Sequence, residues 1–143
     1  MGRLPTGEYL VVGVIADTHA IIWYLLDSPR LSASASAQFE ACLTDEIRVG
    51  VASISIVEIV YLVDKGRIPA ATIPMLKESW EQPLPVLEVI PLTQSIALTV
   101  RQVPRGQVPD LPDHVIAATA LYLDVPLISR DRAIQLPDLE TIW

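Results

Sequence analysis

A single cysteine, Cys42, stands among 143 residues, so no intrachain disulfide can form and, with no secretory signal visible, a reducing cytoplasm is expected. Histidine is scarce too, with two residues. His19, His114 and Cys42 lack the spacing of a Cys-x-x-Cys pair or a His-Glu-x-x-His helix, which disfavours zinc. Cys42, in the helix-like stretch 38–43, reads as a small buried hydrophobe. Positive charge is thin too: ten Lys and Arg face seventeen Asp and Glu, a net charge of −7, which argues against nucleic-acid binding through bulk electrostatics. Hydrophobic residues make up 51% and mean hydropathy is +0.42. No apolar run, however, approaches the ~20 residues of a membrane helix. Repeats, low-complexity tracts and interdomain linkers are absent, and the length fits one domain with a substantial core. The opening Met1-Gly2-Arg3-Leu4-Pro5-Thr6 nominally fits an N-myristoylation pattern, but residues 1–8 read as a disordered or cloning-derived start.

Twelve prolines punctuate short elements. The patterning predicts strands at 10–16, 46–50, 86–90, 126–129 and 139–142. Helices are predicted at 18–26, 33–43, 54–64, 71–80, 93–101 and 112–123. Strands alternating with helices imply an α/β fold with a parallel sheet covered on both faces. Right-handed crossovers then bring Asp17 and Asp131 to one edge.

Four acids, Asp17, Glu58, Asp113 and Asp131, each interrupt or close an apolar stretch, where a carboxylate is costly unless something binds it. Asp17 stands at the exit of the continuous run 9–16 and before a helix-length apolar segment, so it is either a helix cap or a site residue. Glu58 is the only charged residue between Arg48 and Asp64. With Ser55 it has capping-box spacing. A helix so apolar is largely buried, though, and a buried Glu is uncommon unless paired or bound to metal, which favours the metal reading. Pro112 places Asp113 in a first helical turn, where the helix dipole favours an acid. Asp110 is the expected cap there and a reserve ligand. Asp131 follows a strand, flanked by Arg130 and Arg132; alone, it reads as a solvated turn residue.

Four such coincidences at one kind of junction point to a shared cause. Strand ends and helix starts of a parallel α/β fold meet in one crevice, and hard oxygen ligands there suit magnesium or manganese. His19 and His114 are proton shuttles or, more simply, hydrogen-bonded neighbours of the site. Arg30, Lys65, Arg67, Arg130 and Arg132 remain to grip phosphates, and bound cations would invert the local potential.

The segment Val14-Ile15-Ala16-Asp17-Thr18-His19-Ala20-Ile21-Ile22-Trp23 resembles the opening signature of the PIN-domain ribonucleases, specifically the VapC toxins of bacterial toxin-antitoxin modules. Leu31-Ser32, the run 53–59, the basic turn Lys65-Gly66-Arg67-Ile68, the run 113–120 and Pro126-Leu127-Ile128-Ser129-Arg130-Asp131 continue the match across nearly the whole chain. His114 departs from it, since many relatives place Arg there. The resemblance implies a single PIN domain over 1–143, a three-layer αβα fold with a central parallel sheet, and a toxin that hydrolyses RNA phosphodiesters with Mg²⁺ (or Mn²⁺). In that reading Asp17 is the central ligand and Asp113 and Asp131 complete the shell. Glu58 binds metal through water or positions the attacking water. Thr18 and Ser129 supply hydrogen bonds that orient the ligands, or act only as caps. It also implies a homodimer and a cognate VapB-like antitoxin lying in an apolar groove, for which 54–63 and 68–75 are candidate walls.

Two other classes stay open at this stage. A haloacid-dehalogenase-like phosphatase also puts Asp at the end of its first strand, but it wants a second Asp two positions on, where this chain has His19. A noncatalytic binding module would use the acids only as caps.

Overall fold

Five short strands carry the hydrogen bonding of a parallel sheet in this computed structural model, which describes residues 12–83, 85–131, 134 and 136–143. Leu10, Val11, the opening residues 1–8 and Arg132, all singled out above, lie outside the described residues. Strand β1 (Val12–Ala16) sits in the middle, and the order β3-β2-β1-β4-β5 places β2 (Arg48–Ala52) and β3 (Leu87–Ile90) to one side. On the other side lie β4 (Leu127–Ile128) and β5 (Thr141–Ile142). Every ladder is parallel. The order therefore reverses between β1 and β4, and a crevice opens at the carboxyl ends of strands at such a switch point.

Val14, Ile15 and Ala16 are fully buried, as expected for a run without alternation that is covered on both faces. Val14 and Ala16 join one core with Ile21, Ile22, Phe39, Ile59 and Leu76. These come from α1 (Thr18–Leu25), α2 (Ala33–Thr44), α3 (Ser53–Asp64) and α4 (Thr72–Glu81). Ile15 points into the other core, with Ile96 of α5 (Gln94–Thr99) and Ile116, Ala117 and Ala120 of α6 (Leu111–Leu123). The sheet is thus the middle of three layers, as the sequence implies.

Each predicted element within the described residues is present, with boundaries that differ by one or two residues. Two differences bear on the site. The second strand runs on to Ala52 instead of ending near Gly50, and α3 starts at the next residue. Only the first part of the predicted helix 93–101 is α-helical; it tightens into a 3-10 turn at Val100–Gln102. At the far end of α3, Gly66 takes the left-handed conformation with φ 72°, which glycine adopts without strain.

Candidate active site

Asp17 is the first residue past the central strand. Its backbone N–H donates to Ile128 O at 3.0 Å, so the switch point ties it to the neighbouring strand exit. Its Oδ1 accepts from Ala20 N at 2.9 Å, capping α1. Cap and cavity residue are therefore one and the same here, because a capping carboxylate uses one oxygen edge and leaves the remainder free. The Ser129 hydroxyl also hydrogen-bonds Asp17 and accepts from Asp131 N at 3.0 Å, linking the two strand-exit acids through one side chain.

Ser55 and Glu58 do not form the capping box that their spacing allowed. The cap of α3 is Ala52, with no side-chain hydrogen bond, so Ser55 already lies inside the first turn. Because the helix follows the strand without a loop, Ser55 turns inward, fully buried, and its hydroxyl lies 2.9 Å from Thr18 Oγ1. The Thr18 hydroxyl also bonds Glu58 Oε1. A carboxylate can only accept, so Thr18 gives its single proton to Glu58 and takes that of Ser55. The buried threonine, 3% exposed, thereby fixes Glu58 of α3 against the start of α1.

Asp110 occupies the cap position of α6 but makes no side-chain capping bond, contrary to expectation. Its carbonyl accepts from His114 N at 2.9 Å, and its carboxylate faces the cavity instead. Pro112 falls in the first turn as predicted, and Asp113 is the acid of that turn. The His114 ring is buried and its Nε2–H donates to Val103 O at 2.7 Å, so it is a structural neighbour of the site. His19, by contrast, is exposed on α1 and lines the cavity. Cys42 is buried, as the sequence suggests.

Asp17, Glu58, Asp110, Asp113 and Asp131 all line one open cavity of about 580 Å³. Burial holds the Asp17 carboxyl above its ordinary range, although Ser129, the Ala20 amide and His19 pull the other way. Glu58 is raised for the same reason, against its bond from Thr18. Asp113 is pushed up to about 7, first by burial, then by Asp110, Glu58, Asp17 and Asp131 in that order. Like charges held together in a partly desolvated place retain protons.

No three His, Cys, Asp or Glu side chains among the described residues close around one point at metal-ligand range. The acids form the wall of an open cavity and not a closed cage. Their donor chemistry and their mutual repulsion nevertheless fit a divalent cation, which would supply the missing positive charge.

Thr18, His19, Trp23, Arg30 and Arg130 complete the lining. Of the basic residues expected to grip phosphates, Arg30 and Arg130 line this cavity. Lys65 and Arg67 do not line the cavity: they follow the C-terminal end of α3, whereas Glu58 lies in its first half. His19 was expected beside the site, but Trp23 carried no role in the sequence, although the two stand at the i, i+4 spacing that puts two side chains on one helix face. Of the expected groove walls, Ile59 is buried and Ile54, Ile56, Leu62, Ile68 and Ile73 pack on the cores, leaving Val57, Tyr61 and Met75 exposed. Among the described residues, no helix is long and apolar enough to cross a membrane.

The family profile described as PIN domain matches residues 14–138. The chain is 34% identical over 134 residues to ribonuclease VapC22 of Mycobacterium tuberculosis, covering 91% of this chain and 98% of that protein. Its fold is similar to that of VapBC2 from Rickettsia felis bound to a promoter DNA fragment, with TM-score 0.67, 16% identity, and 90% and 96% of the two chains covered. DNA-bound VapBC from Salmonella typhimurium is similar at TM-score 0.69 and 16% identity, with 92% and 97% covered.

Proposed function

Because the chain belongs to the PIN-domain family and groups with its VapC ribonucleases, we propose that it is the toxin of a toxin-antitoxin module and an endoribonuclease dependent on Mg²⁺ or Mn²⁺. Family membership sets aside the phosphatase alternative. The observation that carries the reading is convergence: the exits of β1 and β4, the first half of α3 and the start of α6 all deliver carboxylates to one cavity.

Asp17, Asp113 and Asp131 would hold the cation, with Glu58 bound through water or positioning the attacking water. When bound, such an ion lowers the pKa of a coordinated water and stabilises the leaving oxygen. The chain's own residues set the geometry. Asp17 is held by the α1 amide and Ser129, Glu58 is aimed by Thr18, and Asp110 is a reserve ligand. Arg30 and Arg130 would draw the RNA backbone to an otherwise acidic wall, which accommodates the net charge of −7.

Names of the similar complexes support a VapB-like antitoxin as partner, and a homodimer in the cytoplasm completes the proposal. The exposed Val57, Tyr61 and Met75 belong to the segments assigned to the antitoxin groove. The direct test is RNA cleavage by the purified chain with Mg²⁺, with Mn²⁺ and with excess chelator. Cleavage that survives chelation, or is unchanged in Asp17→Asn, would overturn the metal site.

A further inference from the structure

The acids account for only half of the cavity wall. Three of the other lining residues, His19, Trp23 and Arg130, form a column that Trp143 joins and in which Trp23 is central. The His19 ring lies 5.6 Å from it at 45°, the Trp143 ring 5.7 Å from it at 60°, and the Arg130 guanidinium carbon 5.2 Å from its centroid. Trp23 is 9% exposed, whereas His19 is exposed at the cavity. The imidazole is thus the solvent-facing end of a row of tilted ring contacts whose inner members, Trp23 and Trp143, are fixed by packing on the core.

A ring in that place does nothing for the core. Its neighbours Thr18 and Ala20 are buried while it is not. What it offers is a pre-ordered apolar face beside a phosphodiester site, and aromatic faces of that kind hold unpaired nucleobases. The guanidinium of Arg130 is kept in place by its contact with Trp23, one residue beyond the serine that binds Asp17. A phosphate next to the reacting one would meet Arg130 or Arg30, and the attached base would meet His19.

We propose that His19, backed by Trp23, is the stacking platform for the unpaired nucleobase flanking the cut bond, and so a specificity-determining residue. The proposal rests on the ribonuclease reading. A purine, with the larger face, is the favoured base at that one position.

The test separates ring from charge and binding from cleavage. In the Asp17→Asn background with Mg²⁺, short single-stranded RNAs carrying 2-aminopurine at successive positions should show a fluorescence change at one register. Affinity should fall about tenfold in His19→Ala and His19→Lys and return in His19→Phe, within the range for loss of one stacked base. With Asp17 intact, the loss should appear in KM, and the flanking purine preference should vanish in His19→Ala but persist in His19→Phe. Unchanged affinity in His19→Ala would overturn the platform, as would a Phe variant behaving like Ala or a Lys variant behaving like wild type. His19-dependent binding by a chain that cleaves no RNA in either metal would sink the ribonuclease reading while leaving the platform standing. No RNA binding at all would sink both.

Discussion

The two ends of the sheet treat charge in opposite ways. At the amino end, Glu88 of β3 meets Arg48 of β2 at 3.6 Å, beside a small cavity of about 150 Å³ lined by Cys42, Leu43 and Pro85. Partly buried charge there is answered within the chain. At the carboxyl end, five acids share one cavity and three of them are raised. One fold thus neutralises a carboxylate at one end of the sheet and accumulates carboxylates at the other, where the proposed cation would bind. The difference supports the proposed metal site, since a chain selected for stability alone would have paired or removed those acids.

The sharpest way to break this contrast is Asp17→Asn. Asparagine caps a helix about as well as aspartate, so the fold should survive. Metal-dependent RNA cleavage should fall by more than about 100-fold, the upper range for residues that merely orient ligands. Initial-rate assays on purified wild type and variant decide it; near-wild-type rates would equate the two sheet ends. Thr18→Val and Ser129→Ala come next, with losses of about 10- to 100-fold as Glu58 and Asp17 lose their orienting hydroxyls. A loss confined to folded yield, with normal specific activity, would reduce both hydroxyls to structural roles.

The carboxyl end should also be legible in melting curves. An unfolded Asp113 gives up its proton near the ordinary value of 3.8, whereas the folded one holds it to about 7. Between those values the native chain binds more protons, so in chelator stability falls as pH rises through that window and the loss is complete above about 7. Asp17 and Glu58 are raised too and act in the same direction. Asp113→Asn should flatten the slope and be at least as stable as wild type in chelator at pH 8. Divalent metal reverses the wild-type penalty by mass action, by about 2.7 kcal/mol at a concentration 100 times its dissociation constant. Calorimetry at pH 5 and 8, with Mn²⁺ and with chelator, measures all of this. A pH-independent Tm in chelator would contradict the crowding of acids.

Much of this contrast was legible in the sequence, and what was hidden has physical reasons. The strand-acid-helix junction at Asp17 shows because a buried parallel strand is a continuous apolar run with a charge at its exit. The four acids stand out because each breaks an apolar pattern. At Glu58 the capping-box spacing to Ser55 competed with the site reading, and it is idle because the strand continues to Ala52 and leaves no loop to cap. Asp110 misled, since a cap position does not oblige its carboxylate to bond the helix amides. Lys65 and Arg67 looked available for phosphate because sequence does not reveal which end of α3 meets the crevice. The Trp23–Trp143 contact joins α1 to residue 143, a pairing that no local pattern encodes.

The smallest expected effect sharpens the contrast from the other side. The Arg48–Glu88 pair is long at 3.6 Å, and Arg48 Nε is buried with no hydrogen-bond partner among the described residues. Part of the Coulombic gain is therefore offset by desolvation. Partly solvated pairs of this kind are worth up to about 1 kcal/mol. Arg48→Met removes the charge and keeps the stem that lines the small cavity, and Glu88→Gln removes its partner. A double-mutant cycle on chemical denaturation should give a coupling energy below about 1 kcal/mol, unchanged by Mn²⁺, with RNA cleavage at the wild-type rate in all three variants. A metal-dependent coupling energy, or a cleavage defect in either single variant, would mean that the two ends of the sheet are energetically linked and that the amino end is more than a closed account of its own charge.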